Sequence, residues 1–175
     1  MREIIEYLNG TWLSKASRPP LYDRGPIRGS TIPEVEAVEL EIQKKLPLAM
    51  KAWYRVAGTV PPYLYDYDAN YSFEDFKRAQ VTAIELTQAE NCDWHLNSSI
   101  IPFSQRLGEQ FIFVDVRDGN PDDPAVYHYS EGEAQPRRVD VAFTTHIREV
   151  WLGWLDFPAW DEENSRQIRL GFKKE

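Results

Sequence analysis

The residues able to do chemistry are few and scattered. Histidine occurs only at His95, His128 and His146, each in a different expected element, with no His-x-x-x-His pair and no glutamate at metal-ligand spacing. Asp115, Asp118, Asp122 and Asp123 precede His128 and would be the raw material of an oxygen-rich Mg²⁺ or Ca²⁺ site, but they lack the regular ligand spacing of an EF-hand loop. Asp122 and Asp123, lying between Pro121 and Pro124, are better read as turn formers. No Gly-x-Ser-x-Gly elbow, phosphate-binding glycine loop or dinucleotide fingerprint is present, so nucleophilic hydrolysis and nucleotide chemistry have no local support. Cys92 is the single cysteine, which excludes a disulfide or a cysteine-rich zinc site within one chain. Neither a cofactor nor a metal is expected, and the chain is read as a non-enzyme.

Charge is the more informative property. The net charge is −8, and residues 61–135 hold fourteen Asp and Glu against four Lys and Arg, while the flanking segments are close to balance. A nucleic-acid surface needs clustered cations, so direct nucleic-acid binding is not expected there. A field of this sign would steer a basic protein toward it, although acidity also serves plain solubility. Within the acidic stretch, Tyr63, Tyr65 and Tyr67 alternate with Asp66 and Asp68, putting a tyrosine stripe on one face of an extended segment and carboxylates on the other. Such a mixture suits a protein interface, and half-buried strand packing explains the tyrosines equally well. The candidate partner-binding residues are Tyr65, Asp66, Tyr67, Asp68, Asp115, Asp118, Asp122, Asp123, Glu131 and Glu133.

The elements that must position these residues are legible from patterning. The chain has 175 residues with 42% hydrophobic and 13% aromatic content, enough for one domain with its own core. Ile4, Ile5 and Leu8 suggest a short helix ending at Asn9-Gly10, followed by a proline-rich arm through Arg18–Pro26. Thr31-Ile32-Pro33-Glu34 is a capping box with proline in the first turn, and Ile32, Val35, Val38, Ile42 and Leu46 form one apolar face. Leu46-Pro47 breaks that helix and begins a second, whose apolar side carries Met50, Trp53, Tyr54 and Ala57 and which a glycine, Gly58, closes. Ser72 to Asp75 can cap a short helix bearing Phe73 and Phe76, and Val81 to Leu86 fits either regular structure.

Ile100–Ser104 and Gln110–Val116 read as a hairpin across Leu107-Gly108-Glu109. Ala125–Tyr129 returns after a turn spanning Asp118 to Pro124. After a loop at Glu131–Gln135, Phe143, Ile147, Val150, Trp151 and Trp154 mark a closing helix with Thr144 or Thr145 near its start. Trp53, Trp151 and Trp154 lie on apolar helical faces and are read as core, whereas Trp160, beside Asp161, Glu162 and Glu163, is a further exposed candidate. The expected organisation is a helix and proline-rich arm at 1–30, an α+β domain at 31–158 and a polar tail or edge strand at 159–175. The fold class is α+β, a mostly antiparallel sheet of about four to six strands with an N-terminal helix pair and a C-terminal helix packed on it. With no apolar run near the roughly 20 residues of a membrane span and no signal-peptide pattern, a cytoplasmic protein is expected.

The ordered combination of the Thr31 helix, the Leu46-Pro47 break, the aromatic helix ending at Gly58, Ile101-Pro102-Phe103-Ser104, Gly108, the Phe111–Asp115 strand, Pro124-Ala125-Val126-Tyr127 and the Phe143–Trp154 helix resembles the SUKH superfamily over roughly residues 30–155. The resemblance implies helices on a mostly antiparallel sheet and no catalytic hallmark residues. It also implies action by binding, either as a bacterial immunity protein that occludes a basic, possibly nuclease, toxin domain or as a regulatory or scaffold domain for an endogenous partner. The chain departs from that pattern at Gln43-Lys44-Lys45, where many relatives carry a glycine.

Overall fold

A computed structural model describes residues 28–59, 71–92, 94 and 97–156, with helix backbone alone at 151–156. The segment 2–9, the proline-rich arm, Tyr63–Asp68 and the tail fall outside the described residues.

Helix α1 (Ile32–Ile42) starts with the expected reciprocal cap: the Glu34 N–H donates to Thr31 Oγ1 at 3.4 Å, and the Thr31 N–H donates to Glu34 Oε2 at 2.6 Å. It stops at Gln43, whose φ of 55° and ψ of 32° are left-handed. A side chain in this conformation strains the backbone, whereas glycine adopts it freely. The lysines that follow fasten the break. Lys44 Nζ donates to the carbonyls of Ile100 (2.7 Å) and Asn97 (3.2 Å), and its partial burial lowers its pKa. Glu39, 4% exposed, accepts from the Leu46 N–H (2.7 Å), Lys51 Nζ (2.7 Å) and Lys45 Nζ (3.1 Å). Burial acts to raise the Glu39 pKa, and these donors outweigh it, so the carboxyl titrates below its ordinary value.

Helix α2 (Leu48–Ala57) has Pro47 at its cap position and no side-chain cap; the Ala49 N–H donates instead to the Asp122 carbonyl at 2.9 Å. It ends at Gly58 as expected, for a different reason. Gly58 is right-handed (φ −70°), and a Cβ there would lie 2.5 Å from the Tyr54 carbonyl oxygen and 2.6 Å from Ser30 Oγ. Glycine is required there because the Tyr54 carbonyl leaves no room for a Cβ, and Ser30 Oγ crowds the same space. Helix α3 (Phe73–Ala89) opens with Ser72 Oγ accepting the Asp75 N–H at 3.1 Å. It is longer than the sequence suggested and absorbs the ambiguous Val81–Leu86, where the exposed Val81 and Ile84 obscure the apolar face formed by Phe76, Ala79, Ala83 and Leu86.

Strands β1 (Ile100–Arg106), β2 (Gln110–Asn120), β3 (Asp123–Ser130) and β4 (Arg137–Asp140) form an antiparallel sheet in that order. Both anticipated hairpins are present, with Phe113 opposite Tyr127 and Ile101 opposite Val114. β2 and β3 extend into the expected turn, leaving only Pro121 and Asp122 between them. β4 has no counterpart in the sequence reading, because Arg137-Arg138 and Asp140 leave Val139 as its sole apolar residue. Charged residues suit an edge strand. Helix α4 (Phe143–Asp156) closes the fold.

The strand alternation divides the core in two. Val114, Val126 and Ile101 pack with Val35, Met50, Trp53, Phe143 and Ile147, so α1, α2 and α4 share one cluster with the sheet. Phe111, Phe113 and Tyr129 form the second cluster with Ala83, Leu86 and the half-buried Trp94. α3 contributes to both, through Phe76 to the first and through Ala83 and Leu86 to the second, and its Gln80 side chain donates to the Pro102 carbonyl of β1.

Two outcomes follow. Glu39→Gln should lower stability by about 2 kcal/mol near neutral pH, because buried donors lose their anionic acceptor. The folded pKa lies below the unfolded one, so this stabilisation is present above about pH 4.5 and is lost as pH falls through the lowered value. Urea titrations at several pH values should therefore show a shallower acid loss in the variant. Gln43→Gly should raise the melting temperature by roughly 2–4 °C, relieving about 1 kcal/mol of left-handed strain.

Candidate protein-binding surface

The structure separates the predicted acidic residues into two groups. Asp115, Asp118, Asp122 and Asp123 lie toward the β2–β3 turn, whereas Glu131 and Glu133 follow β3 at the opposite end of the sheet, where the Glu131 N–H donates to the Glu109 carbonyl at 2.8 Å. The eight-residue β3 separates the groups by roughly 20–25 Å at strand rise. They are two acidic ends, not one patch. Tyr65, Asp66, Tyr67 and Asp68 lie outside the described residues.

At the turn end, most carboxylates have internal partners. Asp115 accepts from Arg117 Nη2 (2.9 Å) and the Arg117 N–H (3.0 Å); burial pushes its pKa up, but the Arg117 contacts and a hydrogen bond from Ser99 leave it below the usual range. Asp118 accepts from the Tyr127 hydroxyl and lies 3.6 Å from Arg138 Nη1. Burial raises the Tyr127 pKa, and this hydrogen bond raises it further. Asp123 accepts from the N–H (2.9 Å) and the hydroxyl of Thr144, so α4 is capped by a carboxylate from β3. Thr144 stands near the helix start as expected, but as the donor. Asp122 uses its main chain for structure, and its carboxylate is exposed.

The opposite end carries a cleft of about 230 Å³ lined by Glu90, Asn91, Cys92, Tyr129, Gly132, Glu133 and Ala134. Glu90 accepts from the Tyr129 hydroxyl and from the Gly132 N–H at 2.6 Å, while Cys92 Sγ lies 3.0 Å from the same hydroxyl. Burial first, then Cys92 and Glu90, pushes the Tyr129 pKa far up and holds it as the neutral phenol. Glu133 accepts from the Ser130 N–H at 3.1 Å and lies 3.9 Å from Arg137 Nε. Glu131 is exposed. Sequence reasoning missed Glu90, whose role depends on a contact 39 residues away in the chain.

The histidines separate likewise. His128 pairs with Gln110 at 3.2 Å, near the end of the sheet away from Asp118, Asp122 and Asp123, so the imagined aspartate–histidine site is not assembled. His146, 7% exposed, joins Asp140 (Nδ1 to Oδ2, 2.6 Å) to the buried Tyr71 hydroxyl (Nε2, 3.1 Å), tying α4 to β4 and to the residue before Ser72. Sequence spacing held no signal for this chain of polar groups. With both ring nitrogens engaged and the ring buried, it acts as a clip within the fold. Among the described residues, no group of three or more His, Cys, Asp or Glu is placed to hold a metal ion. The chemistry the surface offers is acceptor-rich and anionic.

Asp123→Ala should cost about 1–2 kcal/mol in chemical denaturation, as loss of a helix cap does, whereas Asp122→Ala should cost less than about 0.5 kcal/mol because its structural contacts are main-chain. Equal losses at the two positions would contradict the assignment.

Among the described residues no helix is long and apolar enough to cross a membrane. No curated protein matches the chain. The SMI1 / KNR4 family (SUKH-1) matches residues 29–149, from the glycine that packs on the end of α2 to within α4. That match covers more than half of the chain and takes in all four strands, the first three described helices and half of α4, so the chain belongs to the SMI1 / KNR4 family (SUKH-1).

Proposed function

We propose that the chain is a non-enzymatic protein-binding domain, an immunity-type protein that neutralises a basic toxin domain by covering it. The observation that carries this reading is the concentration of acid in residues 61–135, the stretch that contributes α3 and three of the four strands. Membership of the family supports action by binding, and the exposed carboxylates of Asp122 and Glu131, with the partly exposed Asp118 and Glu133, give each end of the sheet an anionic rim. A nuclease toxin presents a cationic substrate face, which such rims would attract and block.

Affinity capture from the native host, followed by identification of the partner, tests the proposal. Recovery of a basic toxin-like protein whose binding weakens at least tenfold between about 50 and 500 mM salt is the expected result. Capture of an endogenous, non-toxic partner would replace immunity by regulation, and salt-insensitive binding would remove the electrostatic account. With the partner in hand, the paired reversal Asp66→Lys with Asp68→Lys and the separate reversals Asp122→Lys and Glu131→Lys locate the contact. The reversal at the contacting end is expected to slow association, and unchanged affinity in all three would place the interface elsewhere.

A further inference from the structure

The outer face of α3 is independent of the acidic ends. Its inner face is committed to the core through Phe76, Ala79, Ala83 and Leu86. Opposite them Lys77, Val81, Ile84 and Gln88 recur at four-, three- and four-residue steps, the spacing of a coiled-coil seam, with Val81 54% and Ile84 48% exposed at its centre. Beside the seam an open groove of about 390 Å³ runs between α3 and Gln105 of β1, so that flank is open. On one shoulder of the seam stand Arg78 and Glu85, seven residues apart and on either side of its centre.

We propose that this face pairs with the same face of a second copy, the two α3 helices running antiparallel. The argument is charge complementarity. An antiparallel two-fold axis at the centre of the seam, between Thr82 and Ala83, sets Val81 of one copy against Ile84 of the other, keeps each shoulder on its own side and brings Arg78 of one copy within about 3 Å along the axis of Glu85 of the other, twice. A parallel pairing would set this shoulder against the opposite one, where Gln80 and Thr87 offer no charge partner. Arg78 has an exposed in-chain partner in Glu74, a contact that offers little resistance to re-pairing. Lys77 is drawn aside by Glu41 at 2.6 Å, leaving its stem to cover the seam. A 17-residue helix is about 25 Å long, and one crossing of two such helices falls short of the roughly 800 Å² per partner of a standard interface, so the dimer is weak and reversible.

Sedimentation equilibrium of the full chain across a concentration series reads the outcome. The expected result is a monomer–dimer equilibrium with a dissociation constant in the micromolar to sub-millimolar range, roughly. Ile84→Glu should raise that constant at least about tenfold with an unchanged circular dichroism spectrum, since the side chain is exposed. Arg78→Glu and Glu85→Arg should each weaken association about three- to tenfold, and the double reversal should restore it. A wild-type chain that remains monomeric up to about 1 mM overturns the proposal, as does a dimer indifferent to Ile84→Glu or single reversals that the double variant fails to rescue. The partner-capture outcome bears on none of these results.

Discussion

The turn between β2 and β3 and the first residue of β3 supply two of the helices packed on one face of the sheet, α2 and α4, with an acceptor for their first turns. The Asp122 carbonyl takes the Ala49 N–H of α2, which has a proline at its cap position and no side chain to do the work, and the Asp123 carboxylate takes the N–H and hydroxyl of Thr144 in α4. A helix N-terminus presents unsatisfied N–H groups and partial positive charge, and burying it without an acceptor is unfavourable. Docking of α2 and α4 therefore depends on the hairpin being formed in this register. The hairpin in turn depends on Phe113 opposite Tyr127 and Val114 opposite Val126, which present one apolar set to each side of the sheet.

Around that turn, buried polar groups are used in pairs and small networks. Glu39 gathers two lysines and an N–H at the α1–α2 break, Asp75 accepts from the Ser104 hydroxyl at 3.1 Å, and His146 links Asp140 to Tyr71. Each joins elements whose apolar contacts alone would leave their relative positions loosely specified. A slip in register would strand a charge or an N–H in the core, and that cost exceeds the cost of a small mismatch between apolar side chains.

These internal uses change the meaning of the acidity. Asp115, Asp118, Asp123 and Glu133 look in sequence like one negative surface, yet each spends part of its charge on Arg117, Arg138, Thr144 or the Ser130 N–H and Arg137. Among these four, what remains toward solvent lies in two rims at opposite ends of the sheet, the arrangement on which the proposed attraction of a cationic protein rests. The apolar seam on α3 belongs to a different face and a different kind of recognition, short-ranged and self-complementary.

Local signals were legible without the structure because their causes are local. The Thr31 capping box, the Leu46-Pro47 break, the Ser72 cap, the two hairpins and the Phe143 helix are each written within a few residues, and the ordered motifs were enough to point to the family. The length of α3 was obscured because Val81 and Ile84 sit on its outward face, and β4 was invisible because an edge strand needs little apolar content. Gly58 was placed correctly at a helix end, but the steric need for it, the Tyr54 carbonyl with Ser30 Oγ beside it, is set by packing and not by a left-handed cap. Net charge and its segment are properties of composition. Which carboxylates are bound internally, which face solvent, and that Glu90 meets Tyr129 or His146 meets Tyr71 were decided by tertiary structure, since hydrogen bonds act over about 3 Å and only folding brings such distant positions within that range.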